Sequence, residues 1–91
     1  MRIVFRRRAE ADLRGIIAWY EQVAPESVQR IFDDIYRSID FLIDSPRLGM
    51  PIEGTPFHRI VTRRYHFKIA YEVKGRSIFI VGIYRFQNRT T

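Results

Sequence analysis

Between Tyr65 and Tyr84 the chain alternates with period two: Phe67, Ile69, Tyr71 and Val73 fall on one side, and His66, Lys68, Ala70 and Glu72 on the other. That spacing predicts a strand with one buried face. Lys74-Gly75 supply the turn of a tight hairpin, because glycine takes the positive φ that a short loop demands. The return segment from Ser77 to Tyr84 is apolar on both sides, with Ile78 and Ile80 on one and Phe79, Val81 and Ile83 on the other. A strand of that kind belongs in the middle of a sheet, with cover on both faces.

Upstream, Arg2-Ile3-Val4-Phe5-Arg6 reads as a short alternating strand that the triplet Arg6-Arg7-Arg8 ends. From about Ala9 the period changes to that of a helix. Ala9, Leu13, Ile16, Ile17, Tyr20 and Ala24 form one stripe, while Glu10, Arg14, Glu21 and Gln22 face away. Pro25 breaks this helix and suits the first position of the next, where its missing N–H would be unpaired in any case. Val28, Ile31, Phe32, Ile35, Ile39 and Leu42 form the second stripe, opposite Gln29, Asp33, Arg37, Asp40 and Asp44, with Asp33 and Arg37 spaced for an ion pair. Pro46 ends this helix near Asp44 by excluding Ser45 from helical geometry. Arg47 to Pro56 is dense in turn formers and is expected to connect helices to sheet, and Ile60-Val61-Thr62 is expected to be a strand. The fold class implied is α+β: a helical hairpin packed on one face of a mainly antiparallel four-stranded sheet, in the order β-α-α-β-β-β and in one domain covering residues 1–91.

Composition narrows the setting. The 91 residues are 46% hydrophobic and contain no cysteine, enough for one small core and compatible with a reducing compartment. No stretch has the order of a signal peptide or the length of a membrane span, so the expectation is a cytoplasmic protein with no membrane partner. The net charge of +6 is unevenly divided. Residues 1–56 hold eight arginines against nine carboxylates, whereas residues 57–91 hold six arginines and two lysines against Glu72 alone. Such one-signed surface favours an acidic or polyanionic partner.

The helices are expected to cover the sheet face carrying Ile69, Tyr71, Ile78 and Ile80. The other face would then carry Lys68, Ala70, Phe79, Val81 and Ile83, a basic and apolar surface that marks a binding site unless a loop or the C-terminal tail folds over it. His58 and His66 are the only histidines, and with one nearby glutamate they make no closed ligand set, so neither metal nor cofactor is expected.

The chain also resembles a known family over nearly its whole length. Ala11-Asp12-Leu13 through Trp19-Tyr20, Ser45-Pro46-Arg47-Leu48-Gly49, Tyr65 to Tyr71, and the ending Ile83-Tyr84-Arg85 are similar to the RelE/ParE toxins of type II toxin-antitoxin systems. The resemblance implies a growth-inhibiting toxin, associated with plasmid stabilization, that a cognate antitoxin neutralises by wrapping it, as a homodimer or as a heterotetramer with the antitoxin. It leaves two activities open. RelE-type members are similar to metal-independent, ribosome-dependent endoribonucleases acting on mRNA, in which the 2′-hydroxyl attacks the adjacent phosphate with help from an acid, a base and cations. Carried onto this sequence, that set would be Lys68, Tyr84 and Arg85. Many relatives have His where this chain has Tyr84, whose ordinary pKa of roughly 10 suits a base poorly. The ending Gln87-Asn88-Arg89-Thr90-Thr91 also lacks the terminal Tyr of RelE-type tails. ParE-type members instead resemble inhibitors that bind DNA gyrase, which needs only a surface. The ParE-like reading is therefore preferred, with Arg63, Arg64, Lys68, Phe79, Val81, Arg85 and Arg89 as target- or antitoxin-binding residues. A plain nucleic-acid-binding domain has less support: Tyr65, Phe67 and Phe86 are stacking candidates, but the alternation buries Phe67.

Overall fold

The computed structural model describes residues 1–85, in the order β1 (Arg2–Phe5), α1 (Arg7–Val23), a 3-10 turn (Pro25–Ser27), α2 (Val28–Asp44), β2 (Met50–Pro51), β3 (His58–Val61), β4 (Lys68–Lys74) and β5 (Ser77–Tyr84). The strands form one sheet, ordered β1-β5-β4-β3-β2, in which β1 runs parallel to β5 and the other neighbours are antiparallel. This is the α+β architecture that the patterning predicts, with one strand more. Met50–Pro51, inside the expected connection, pairs with β3. Two residues are too short for alternation to reveal.

The apolar stripes meet where their spacing directs them. Ala9 and Ile16 of α1 and Ile31, Ile35, Ile39 and Leu42 of α2 are buried against Ile69, Tyr71, Ile78 and Ile80, with Leu13, Ile17 and Tyr20 packed at the margin. Each aliphatic side chain so buried contributes about 1.5–3 kcal/mol. The helix ends follow the local chemistry as well. Ala24 N–H reaches Tyr20 O at 2.8 Å before Pro25 diverts the chain, and Ser45 N–H reaches Phe41 O at 3.1 Å before Pro46 does the same. Asp33 accepts from Gln29 at 3.1 Å and forms no ion pair with Arg37, contrary to the expectation from spacing.

Two further expectations change. β4 starts at Lys68 because the chain from Thr62 to Phe67 is a closed turn and not a strand. Thr62 N–H donates to Phe67 O at 2.8 Å, Phe67 N–H donates to Thr62 Oγ1 at 2.9 Å, and His66 sits at φ +60°. Phe67 is buried all the same. The second change is in β5, where Tyr71 pairs with Ile80 but Ala70 pairs with Gly82, so Val81 is an extra residue. This bulge resets the alternation. Ile83, expected beside Phe79 and Val81, instead lies opposite Ile69 and is buried in the helix-facing core.

β1 is shorter than β5 and leaves the last part of that strand without a strand neighbour on one edge. Helix α1 closes the gap: Asp12 Oδ2 accepts from Ile83 N–H at 3.0 Å, while Arg8 Nε donates to Oδ1 at 3.2 Å. A backbone donor that would otherwise be orphaned is thereby satisfied.

Candidate functional site

The register defines the sheet face turned away from the helices. Across its last row lie Val61, Lys68 and Tyr84, each opposite its neighbour; the next row holds Arg59, Ala70 and Gly82, and further along Glu72 lies opposite Phe79. Lys68 is half-buried and Tyr84 exposed. Phe79 is half-buried. The Arg6 guanidinium lies 4.8 Å from its ring centroid and also pairs with Glu72 at 3.1 Å. This face is expected to be open unless a loop or the tail folds over it; Arg6, just before α1, lies against part of it, the loop holding β2 runs along the sheet edge, and the tail lies outside the described residues. Arg85 follows Tyr84 and stacks over Trp19 of α1, 4.3 Å from the ring centroid. Arg89, like Phe86 and the rest of the tail, lies outside the described residues.

The two histidines are placed apart from this row. His58 faces the helices, with its ring 5.6 Å from that of Tyr71 and its buried Nδ1 without a hydrogen-bond partner. His66 is exposed in the turn before β4. Lys68 and Tyr84 are brought together as a cross-strand pair with Arg85 next to them, so the three residues of the ribonuclease set converge, but no histidine occupies their row of the ladder.

Arg63 and Arg64 belong to a second surface, which meets the open face along β3 at Arg59 and Val61. Together with Arg30, Arg37 and Arg59 they surround a cleft of about 740 Å³ between α2 and the β2–β3 side of the sheet. Its apolar lining includes Phe41, Leu48, Met50 and Val61, which are 52%, 58%, 66% and 45% exposed. Asp34 lies in the same wall with its carboxylate turned inward, accepting the N–H groups of Arg64 at 3.0 Å and Tyr65 at 2.8 Å. The cleft is therefore an apolar trough with a cationic rim. The residues expected to form one binding surface divide into two: Arg63 and Arg64 on the cleft, and Lys68, Phe79 and Val81 on the open sheet face, with Arg85 at its end.

Comparison with known proteins gives this geometry a family. Residues 3–89 match the ParE toxin of type II toxin-antitoxin system, parDE. The chain belongs to the ParE toxin family. Among solved structures it is similar to a chain of the chromosomal ParDE toxin-antitoxin system from P. aeruginosa, with 28% identity, a TM-score of 0.82, and coverage of 96% of this chain and 97% of that one. It also shares the fold of a chain in the intact E. coli RelBE toxin-antitoxin complex, at 15% identity and a TM-score of 0.66, covering 96% of this chain and 98% of that one. No curated protein sequence matches it significantly. It is the toxin of a type II toxin-antitoxin pair, of the ParE-like branch, and its partner is a cognate antitoxin. Among the described residues no helix is long and apolar enough to cross a membrane.

In this ParE toxin the residues that carry the family resemblance have structural jobs. Tyr71 donates its hydroxyl hydrogen to Pro46 O at 2.8 Å and accepts Gly49 N–H at 2.8 Å. A Cβ on Gly49 would stand 2.7 Å from the Tyr71 hydroxyl and 2.9 Å from Arg59 O, so only glycine fits there. The Pro46-to-Gly49 signal is thus a clasp holding the end of α2 to the sheet. Burial raises the Tyr71 pKa, with the hydrogen bond from Gly49 opposing the shift. Asp12 closes the β5 edge. The residues that sequence reasoning passed over are Asp34, Arg6, Phe41 as a cleft residue, and Met50. A signal existed for Asp34, which falls between Ile31 and Ile35 on an apolar stripe, where a carboxylate requires a partner.

Proposed function

We propose that this toxin arrests growth by binding DNA gyrase and not by cutting RNA. The observation that carries this reading is the row Lys68–Tyr84–Arg85: it holds cations and one phenol, but neither histidine of the chain stands in it. General acid-base cleavage of RNA needs a base that works near neutrality, whereas inhibition by binding needs only shape and charge. The similarity to a ParDE chain supports the same branch.

The antitoxin is proposed to lay an acidic, amphipathic segment in the cleft. Phe41, Leu48, Met50 and Val61 offer it exposed apolar area, and the surrounding arginines offer charge complementarity. The open sheet face, where Arg6 lies over part of Phe79, is less suited to that occupant.

The test adds the purified toxin to a gyrase supercoiling reaction and, separately, to ribosomes programmed with mRNA. Inhibited supercoiling and intact transcripts are expected, for both the parent and Tyr84→Phe. Ribosome-dependent cleavage by the parent, abolished in Tyr84→Phe, would establish a RelE-type ribonuclease instead.

A further inference from the structure

Where β5 ends, two large rings remain in solvent beside the family's basic C-terminal position. Trp19, the one tryptophan in the chain, is 46% exposed because it lies off the apolar stripe of α1. Arg85 covers one part of it at 4.3 Å, and Tyr20 meets it edge-on at 4.9 Å. Tyr84, exposed on the neighbouring open face, leans over Gly82: a Cβ there would stand 3.2 Å from Tyr84 Cε1. Ala70, opposite Gly82, is equally small, so the ring closes on a floor that larger side chains would have lifted it from. Lys68 lies across from Tyr84.

From this arrangement we infer that the Trp19–Arg85–Tyr84 end of the molecule binds single-stranded DNA, with unpaired bases against the exposed rings and phosphates near Arg85 and Lys68. Rings of this kind take any base, and cations between them follow the backbone. The adjoining carboxylates do not oppose a polyanion: Asp12 is engaged by Arg8 and Ile83 N–H, and Glu72 by Arg6. A duplex keeps its base faces stacked and away from the Trp19 and Tyr84 rings, so unpaired strand is the form that fits. An acidic protein segment has a better seat in the apolar cleft, which lies between α2 and β3. The inference deepens the proposed function and rests on it, since an inhibitor of an enzyme that cuts and reseals DNA gains grip by touching the DNA as well as the enzyme.

The experiment uses the antitoxin-free toxin, a labelled oligothymidylate of about twelve nucleotides, an oligouridylate of the same length and a matched duplex. Binding is read by anisotropy and by quenching of Trp19 emission. Saturable quenching is expected with oligothymidylate, at least about ten-fold weaker binding of the duplex, and an affinity that falls with salt at a log–log slope near −0.7 per phosphate neutralised. Tyr84→Ala should weaken binding about ten-fold, as loss of one stacking ring does. Arg85→Ala should lower the salt slope by roughly 0.7. Arg76→Ala, at the opposite end of β5, should leave binding unchanged, and circular dichroism checks that each variant is folded. Unchanged Trp19 emission, equal affinity for duplex, tighter binding of oligouridylate, or equal losses from Arg76→Ala and Arg85→Ala would each overturn the inference. The gyrase assay fails or succeeds separately: oligothymidylate binding without inhibition of supercoiling would remove the proposed target and leave the DNA surface standing.

Discussion

Gly49 and Tyr71 form a contact in which neither residue can change alone. Gly49→Ala forces a methyl group into the Tyr71 hydroxyl and the Arg59 carbonyl, and overpacking of this kind costs about 1–3 kcal/mol. Tyr71→Phe leaves Pro46 O and Gly49 N–H without their partner, at a similar cost of about 1–3 kcal/mol. Denaturant titrations of both variants and of the double variant should show strong non-additivity, because they break one clasp. The same hydroxyl makes stability depend on pH. Burial raises its folded pKa above the ordinary tyrosine value of 10.0, so the fold favours the protonated phenol. That contribution is complete below pH 10 and is lost as pH rises through the folded pKa, because the unfolded chain releases the proton first. Tyr71→Phe should flatten this alkaline decline in a pH series of unfolding curves. At the same scale, Asp34→Ala removes the acceptor of two backbone donors and should cost at least as much as an ordinary buried hydrogen bond, about 1–3 kcal/mol, whereas Asp33→Ala, exposed on the same helix, should cost little. The carboxylate at Asp34 was legible as an anomaly on its stripe. Its partners were not, because they lie thirty residues away in a turn that alternation misread as strand.

At the scale of elements, the two helices were readable from period alone, since a stripe of apolar residues has one stable destination, the core. β5 was readable only in part. Its central place follows from apolar residues on both faces, but the bulge at Val81 depends on pairing with β4 and leaves no mark in the pattern of one strand. Its consequence can be measured. Ile83→Ala should destabilise the fold as much as Ile80→Ala, both by roughly 2–5 kcal/mol, and Val81→Ala should cost less than half as much. A loss under about 1 kcal/mol for Ile83→Ala in urea would place Ile83 back on the open face. The turn from Thr62 to Phe67 shows the same limit: Phe67 is buried with the right parity for a strand, yet it is held by Thr62 and not by a ladder.

Taken as a whole, the molecule divides between two surfaces the cations that the charge count had merged. Of the cations in residues 57–91, Arg59, Arg63 and Arg64 lie on the rim of the cleft, whereas Lys68 and Arg85 lie at the end of the sheet. Antitoxin affinity should therefore fall ten-fold or more in Arg37→Glu/Arg63→Glu and stay within a few-fold in Lys68→Glu/Arg85→Glu, as titrations of folded variants would show. The reverse pattern would move the antitoxin to the open face. Toxicity in growing bacteria that lack the antitoxin should decline stepwise as Lys68 and Arg85 are replaced, as expected of a distributed binding surface, and should survive Tyr84→Phe. By itself the sequence determined the class of fold, the order of its longer elements, the helix-facing core apart from Ile83, and the toxin family. These rest on periodicities and on motifs that act over a few residues. Only the tertiary structure decided that Arg6 lies over part of Phe79, that Arg63 and Arg64 face a cleft while Lys68 and Tyr84 face outward, and that Trp19 meets Arg85. Each of these joins residues far apart in the chain, and their distance is set by how strands pair and how α1 crosses the sheet edge, which no local pattern encodes.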